Sequence, residues 1–366
     1  MPQPPQRDID LAKRQLEGWL AKQLPGASEL CVTHLEKPGG SGFSNDTLLM
    51  DITYEEAGAA REEKLVVRVT PTGYPVFPYY DIGHQFDIMK AVGANSDIPV
   101  PTMRWREEDK SLLGESFYVM ERVYGEIPAD NPPYPTEGFV FDATPAQRER
   151  MWWTGLDALM RIGKLDVDSL GLDYLEMPAL GSSPIEQHLA YYQRYLDWAR
   201  EGEEQPTSQA ALEWLVKNMP ADEPRALCWG DARVGNQIFR DFEVVSVLDW
   251  EMAALGNPVC DLGWWLFVDL IAMAGNGIPG MARPRLEGIP SHEETVARWE
   301  EVMGREAEHL HFYKVFAGLR FACVMIRVMG QQAHYGTFPM EAKPILQRNN
   351  VVTQHLAQLL DLPAPE

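Results

Sequence analysis

The stretch from 227 to 258, LCWGDARVGNQIFRDFEVVSVLDWEMAALGNP, decides how the rest of the chain is read. Asp231 and Asn236 stand five residues apart, and Asp249 follows thirteen residues later at the end of the apolar run VVSVLDW. A strand–turn–strand over this segment would return the chain beside itself and bring the three polar ends to one spot. One carboxylate able to orient and deprotonate a hydroxyl, with an Asn and a second Asp as oxygen ligands for Mg2+ on nucleotide phosphates, is the set that phosphoryl transfer needs. Taken singly, Asp231 and Asn236 read as turn residues and Asp249 as a cap before a helix. The ordered set of three favours a shared site.

The chain around this segment is ordinary globular protein. Its 366 residues are 45% hydrophobic and 23% charged, enough for two domains or lobes and a sizeable core. With 54 acids against 32 bases, the formal charge of -22 argues against nucleic-acid or anionic-membrane partners, which would be repelled at long range. Cys31, Cys228, Cys260 and Cys323 lie far apart with no C-x-x-C pair, so neither a disulfide framework nor a zinc site is expected. A reducing cytoplasm fits best. The N-terminus lacks a basic region followed by an apolar stretch. The apolar run 263–275 is too short to span a bilayer and is interrupted by Asp269, so it reads as a buried helix.

Upstream, β-rich segments near 31–37, 45–54 and 64–70 alternate with Gly-rich or charged turns. A helix fits YDIGHQFDIMKAVGAN, with Ile82, Phe86, Met89 and Val92 on one face. Two further strands flank the polar turn at 107–111, the second running into VMERVYGE. That makes five antiparallel strands. The Pro-rich segment EIPADNPPYPTEGF reads as a connection or lid, and the boundary is placed just before it, with lobes at 1–123 and 124–366. Beyond 143 helical patterning dominates, interrupted by the quoted hairpin, and helices near 293–304 and 306–333 are expected to close the chain.

The segment resembles the aminoglycoside phosphotransferase family of small-molecule kinases, whose catalytic loop reads H-G-D-x-x-x-x-N. WGDARVGN matches it at Gly230, Asp231 and Asn236, and LDWE matches the family's metal-binding segment at Asp249. The run through GNPVCDLGW looks most like the branch that includes kinase-like domains attached to acyl-CoA dehydrogenases. The resemblance implies an α+β, bilobal protein-kinase-like fold: a five-stranded sheet lobe and a larger, mainly helical lobe carrying a catalytic hairpin. It implies ATP or GTP as donor, Mg2+ held by Asn236 and Asp249, and Asp231 as base. In GGSGFSN, the residues Gly39, Gly40, Ser41 and Gly42 resemble the nucleotide loop, where glycines let backbone amides approach phosphate. By themselves they read equally as a hairpin turn; the G-K-[ST] ending of a Walker A motif and a nucleophile elbow are both absent.

Arg68, in KLVVRVT, occupies the place of the Lys that meets the α- and β-phosphates, and keeps its charge with bidentate reach. Glu121 to Val123 resemble the hinge whose backbone pairs with adenine. Arg233 matches a cation that neutralises the migrating phosphoryl group. Three positions depart from the pattern: Trp229 for the motif His, Gly163 for a His common among relatives, and Gln85 for the Glu that would pair with Arg68, to which Gln85 offers only a hydrogen bond. Because the base, both metal ligands and the phosphate-binding cation are retained, the expected activity is a small-molecule O-kinase acting on a nucleotide and a hydroxylated acceptor. The alternative is a nucleotide-binding pseudokinase serving as a regulatory module. SHEETV at 291–296 is not a zinc-protease motif, the remaining histidines read as structural or surface residues, and the Trp pairs at 152–153 and 264–265 read as helix core. Neither the acceptor nor the oligomeric state is encoded in any segment.

Overall fold

The computed structural model describes residues 7–38, 46–221, 224–274 and 283–366. The glycine-rich turn with Gly39, Gly40, Ser41 and Gly42 lies outside the described residues. Helix α1 (Ile9–Gln23) is capped by Asp8, whose carboxylate accepts from the Leu11 amide. Strands β1 (Ala27–Glu36), β2 (Asp46–Glu56) and β3 (Ala59–Val69) follow. Then come helix α2 (Ile82–Asn95), β4 (Met103–Glu107), the single turn α3 (Lys110–Leu113) and β5 (Phe117–Glu121). The strands form one antiparallel sheet in the order β1-β2-β3-β5-β4, the five-stranded sheet predicted.

Alternation along the strands sorts residues to the two faces. Leu65, Val67 and Val69 pack with Leu48, Met50 and Ile52 beneath Leu16, Trp19 and Leu20 of α1. Val66, Tyr118 and Met120 point the other way and join the large core that contains Phe86, Ile88 and Met89 of α2. Arg68 shares the parity of Val66, so the strand period delivers its guanidinium to the face that looks toward the helical part.

That part begins with α4 (Phe139–Asp142), α5 (Pro145–Gly163), α6 (Val167–Leu170), α7 (Pro184–Ala199) and α8 (Pro206–Lys217). Four short strands, β6 (Ala226–Cys228), β7 (Gln237–Arg240), β8 (Glu243–Val247) and β9 (Ala254–Gly256), pair as β6 with β9 and β7 with β8. Helices α9 (Val259–Met273), α10 (His292–Met303) and α11 (Leu310–His334) follow. The expectation that α11 closes the chain is corrected: α12 (Lys343–Arg348) and α13 (Val351–Leu359) come after it. Asn350 starts α13 with a reciprocal capping box to Thr353, a signal that N-V-V-T carried in the sequence. Among the described residues no helix is long and apolar enough to cross a membrane.

The loop between β3 and α2 is tied to the helical part. Arg327 lies between the rings of Tyr74 and Trp198, 4.1 Å from each, and donates to the Pro75 carbonyl at 3.1 Å. Gln331 donates to the Tyr74 carbonyl and Tyr335 accepts from the Tyr74 amide. These ties set where α2 begins relative to the catalytic segment.

Candidate active site

Strand β6 delivers Asp231 and its loop, the β7–β8 hairpin returns the chain, and Asp249 lies two residues beyond β8. The Leu248 amide donates to the Asn236 carbonyl at 2.9 Å, which places the segment before Asp249 beside the one ending in Asn236. Asp231, Asn236 and Asp249 are thus gathered at one end of the hairpin, as the spacing predicted.

Three donors hold the Asp231 carboxylate. Trp264 Nε1 reaches Oδ1 at 2.8 Å, Asn236 Nδ2 reaches Oδ2 at 2.7 Å, and Arg233 Nε lies 3.1 and 3.2 Å from the two oxygens. Trp264 is buried in the helix core as expected, and its indole N–H also ends on Asp231. Arg233 also pairs with Asp130 of the Pro-rich segment, so that segment reaches the site. A Cβ on Gly235 would fall 2.5 Å from Arg233 Nη1 and 2.7 Å from Asp130 Oδ1, so a side chain there would push this pair aside.

Asp249 sits in the left-handed region, with φ 60°, a conformation Asp tolerates better than most side chains. Arg68 Nη2 approaches its Oδ1 at 3.3 Å, and Arg68 Nη1 donates to Thr47 at 3.0 Å across β2. Burial raises the Asp249 pKa and the Asp231 charge raises it further, against the opposing pull of Arg68 and Arg233. Burial alone would lower the Arg68 pKa, but the carboxylates of Asp249 and Glu251 and the Tyr118 hydroxyl raise it. Gln85 does not supply the expected partner: its Oε1 accepts no hydrogen bond among the described residues, and Arg68 turns to Asp249 instead. Asp87, two residues on and on another face of α2, pairs with Arg106 at 2.6 Å. At the expected hinge, Glu121 ends β5 with its amide on the Thr102 carbonyl, and Val123 stands just past the strand.

Trp229 is fully buried, and its Nε1 donates to the Leu248 carbonyl at 2.8 Å. It ties the catalytic loop to the residue before Asp249. Gly230 has φ 92°, and a Cβ there would stand 2.0 Å from the Met252 carbonyl oxygen, so this position requires glycine. At Gly163 a Cβ would meet Pro258 at 3.0 Å, a tight contact that a side chain there could keep only with a small shift of Pro258.

Two residues that sequence reasoning did not single out hold this loop. Asp261, in the first turn of α9, accepts from the amides of Trp229 at 2.6 Å and Gly230 at 2.9 Å. Arg320 of α11 donates to the Gly230 carbonyl at 2.7 Å. Asp261 lay within GNPVCDLGW, and only its side chain's reach back to β6 marks it. Burial raises its pKa to about 6 against the two amide bonds. A raised folded-state pKa means its contribution to stability is fullest below its unfolded value and is lost as pH rises through about 6. Comparing wild type with Asp261→Asn by urea unfolding at several pH values should show the wild-type advantage shrinking from pH 4 to pH 6. A difference that grows over that window would contradict the burial of this charge.

Away from the site, Asp269 gathers Tyr134, Arg285 and His292, the last at 2.8 Å. This gives His292 of SHEETV a structural partner.

The match to known proteins agrees with this geometry. A family model described as the phosphotransferase enzyme family matches residues 37–294. Curated relatives include the probable acyl-CoA dehydrogenase IBR3 of Arabidopsis thaliana, 28% identical over 62% of this chain and 27% of its own length. Acyl-CoA dehydrogenase family member 10 of Mus musculus is 28% identical over 86% of the chain and 28% of its own length. Family member 11 of Homo sapiens is 27% identical over 80% and 35%. The chain thus spans between 27 and 35% of the length of these relatives. Among solved structures, a Ralstonia eutropha JMP134 protein assigned to the aminoglycoside phosphotransferases superposes with TM-score 0.67 at 22% identity, covering 94% of this chain and 98% of that one. The streptomycin–ATP complex of APH(2")-IIa does so with TM-score 0.52 at 15% identity, covering 95% of each. With more than half of its residues matched by the family model and the fold shared along nearly the whole chain, the chain belongs to the phosphotransferase enzyme family and has a protein-kinase-like fold.

Proposed function

We propose that the protein transfers the γ-phosphoryl group of ATP or GTP to a hydroxyl of a small molecule, with Asp231 as the base. The observation that carries this reading is the proximity of two half-buried acids with different surroundings. Asp231 is held by three side-chain donors, whereas Asp249 is held only in part and has a raised pKa. Arg233 Nε is shared between the two Asp231 oxygens, so its withdrawal toward the migrating group would free a lone pair to take the proton of an incoming hydroxyl, while Trp264 and Asn236 fix the direction in which the carboxylate points.

Asn236 spends its N–H donor on Asp231, which leaves Oδ1 as its ligand atom, and Asp249 supplies a carboxylate whose crowding with Asp231 a cation would relieve. These two side chains fit Mg2+. Mg2+ bound with a nucleotide needs few protein ligands, because phosphate oxygens and water complete its shell. When bound, Mg2+ would neutralise charge on the β- and γ-phosphates. Arg68 is assigned to the nucleotide phosphates and Arg233 to the migrating group, whose arrival would draw Arg233 from its present pairing with the base. Residues 1–123 would hold the nucleotide, the adenine edge meeting the backbone of Glu121 and Val123, and 124–366 the acceptor. The proposed location is a reducing cytoplasm.

Asp249→Asn should lower the thermal stabilisation given by Mg·ATP and weaken Mg2+-dependent nucleotide affinity by at least ~10-fold. ATP affinity in EDTA should change little by the same titration. Equal losses with and without Mg2+ would remove Asp249 from the metal site.

A further inference from the structure

The Pro-rich segment 126–139 is tied down on both sides of Asp130. Before it, Glu126 and Phe239 of β7 exchange backbone hydrogen bonds of 2.8 Å each, and Arg240 donates to the Tyr124 carbonyl at 2.9 Å. After it, the buried Tyr134 donates its hydroxyl to Asp269 of α9, a carboxylate that Arg285 and His292 also hold. The Tyr134 amide donates to the Ala129 carbonyl at 2.8 Å and closes a turn with Asp130 inside it. Asp130 thus reaches the catalytic loop from a short span fixed on either side. We propose, on the reading of the protein as a phosphotransferase, that Asp130 is a positioning residue: it anchors Arg233 through Nη1, so that this cation can release Asp231 and meet the migrating phosphoryl group without leaving the site.

The guanidinium of Arg233 is divided among its neighbours. Nε is shared between the Asp231 oxygens, Nη1 pairs with Asp130, and Nη2 makes no hydrogen bond among the described residues. Burial alone would lower the Arg233 pKa, and the charges of Asp231 and Asp130 raise it. The Asp130 side chain is 64% exposed, so its ion pair adds little to stability, whereas its effect on where the guanidinium points is direct. Without Asp130, Asp231 would be the only carboxylate still bonded to Arg233, and two of its N–H groups could close on it as a planar fork. Such a fork would occupy the lone pair that must take the acceptor's proton and would turn the cation from the phosphoryl oxygens. Acting by its field alone, a negative charge at Asp130 would repel the phosphoryl group. Anchoring predicts the opposite sign, which makes the two roles separable.

Calorimetric titration of the full chain with Mg·ADP, and with Mg·ADP plus aluminium fluoride as a mimic of the migrating group, tests the anchor without any acceptor. Asp130→Ala should bind Mg·ADP like wild type but the fluoride complex about tenfold more weakly, at an unchanged melting temperature. Asp130→Asn, whose amide oxygen can still accept from Nη1, should keep the wild-type preference for the fluoride complex. Arg233→Ala should lose at least as much as Asp130→Ala, and combining the two should lose nothing more than Arg233→Ala does, because the anchor then has nothing to hold. A fluoride complex as tight or tighter in Asp130→Ala, equal losses in the alanine and asparagine variants, or additive losses in the double variant would each overturn the proposal while leaving the phosphotransferase reading intact. Wild-type protein that binds Mg·ADP with no gain from fluoride would also overturn the anchor, since nothing then draws Arg233 from Asp231. Wild-type protein that binds no Mg·ADP would contradict the phosphotransferase reading, and the anchor with it.

Discussion

Asp231→Asn is expected to lower phosphoryl transfer by about 10^2–10^4-fold, the range for loss of a positioned general base, while nucleotide binding persists. The carboxylate oxygens take up N–H groups from Trp264, Asn236 and Arg233. An asparagine amide presents one oxygen and one NH2 to this set, so it both loses basicity and turns a donor toward a donor. The binding half of the result separates chemistry from collapse of the site: calorimetric titration with Mg·ADP should give a complex in the variant as in wild type. If the variant bound nucleotide and turned over at the wild-type rate, the base would have to lie elsewhere.

The second large effect is on stability. Trp229→Ala removes a fully buried indole from between the catalytic loop and the 248–250 segment, and should cost about 3–5 kcal/mol in urea unfolding, as for other buried aromatic truncations. Trp229→Phe keeps most of the volume but leaves the Leu248 carbonyl without its indole donor, a loss of about 1–3 kcal/mol if that carbonyl stays buried. Because Leu248 precedes Asp249, whose backbone is held at positive φ, the phenylalanine variant should also raise the Mg2+ concentration needed for half-maximal nucleotide binding. A phenylalanine variant matching wild type in both measurements would show that Trp229 fills space and nothing more. The tryptophan in place of the motif histidine is thus a different tie between the same two segments.

Much of this site could be read before any coordinates because its signals are local. The apolar run VVSVLDW within 227–258 predicts a strand–turn–strand, and such a hairpin by its nature gathers Asp231, Asn236 and Asp249. The facing of Arg68 follows from strand period alone. Tertiary reach was not legible. Trp264 and Asp261 belong to a helix whose composition reads as buried core, and only the packing of α9 against the loop turns an indole N–H and a carboxylate toward it. Arg320, deep in α11, carries the same lesson: spacing within a helix does not say which distant carbonyl a guanidinium will meet. Gln85 failed in the other direction, since a family position suggested a partner for Arg68 that the orientation of α2 does not provide. The closing helices were not predicted, although Asn350 and Thr353 form a capping box at the start of the second of them.

Transfer of label from γ-labelled ATP into a pool of small hydroxylated metabolites, in wild type and Asp231→Asn side by side, tests the proposed chemistry most directly. Wild-type protein with Mg2+ should yield a labelled phosphoester that the variant does not form. A protein that binds Mg·ATP normally yet forms no labelled ester and releases no phosphate would be a pseudokinase, and the assignment of Asp231 as a base would be wrong.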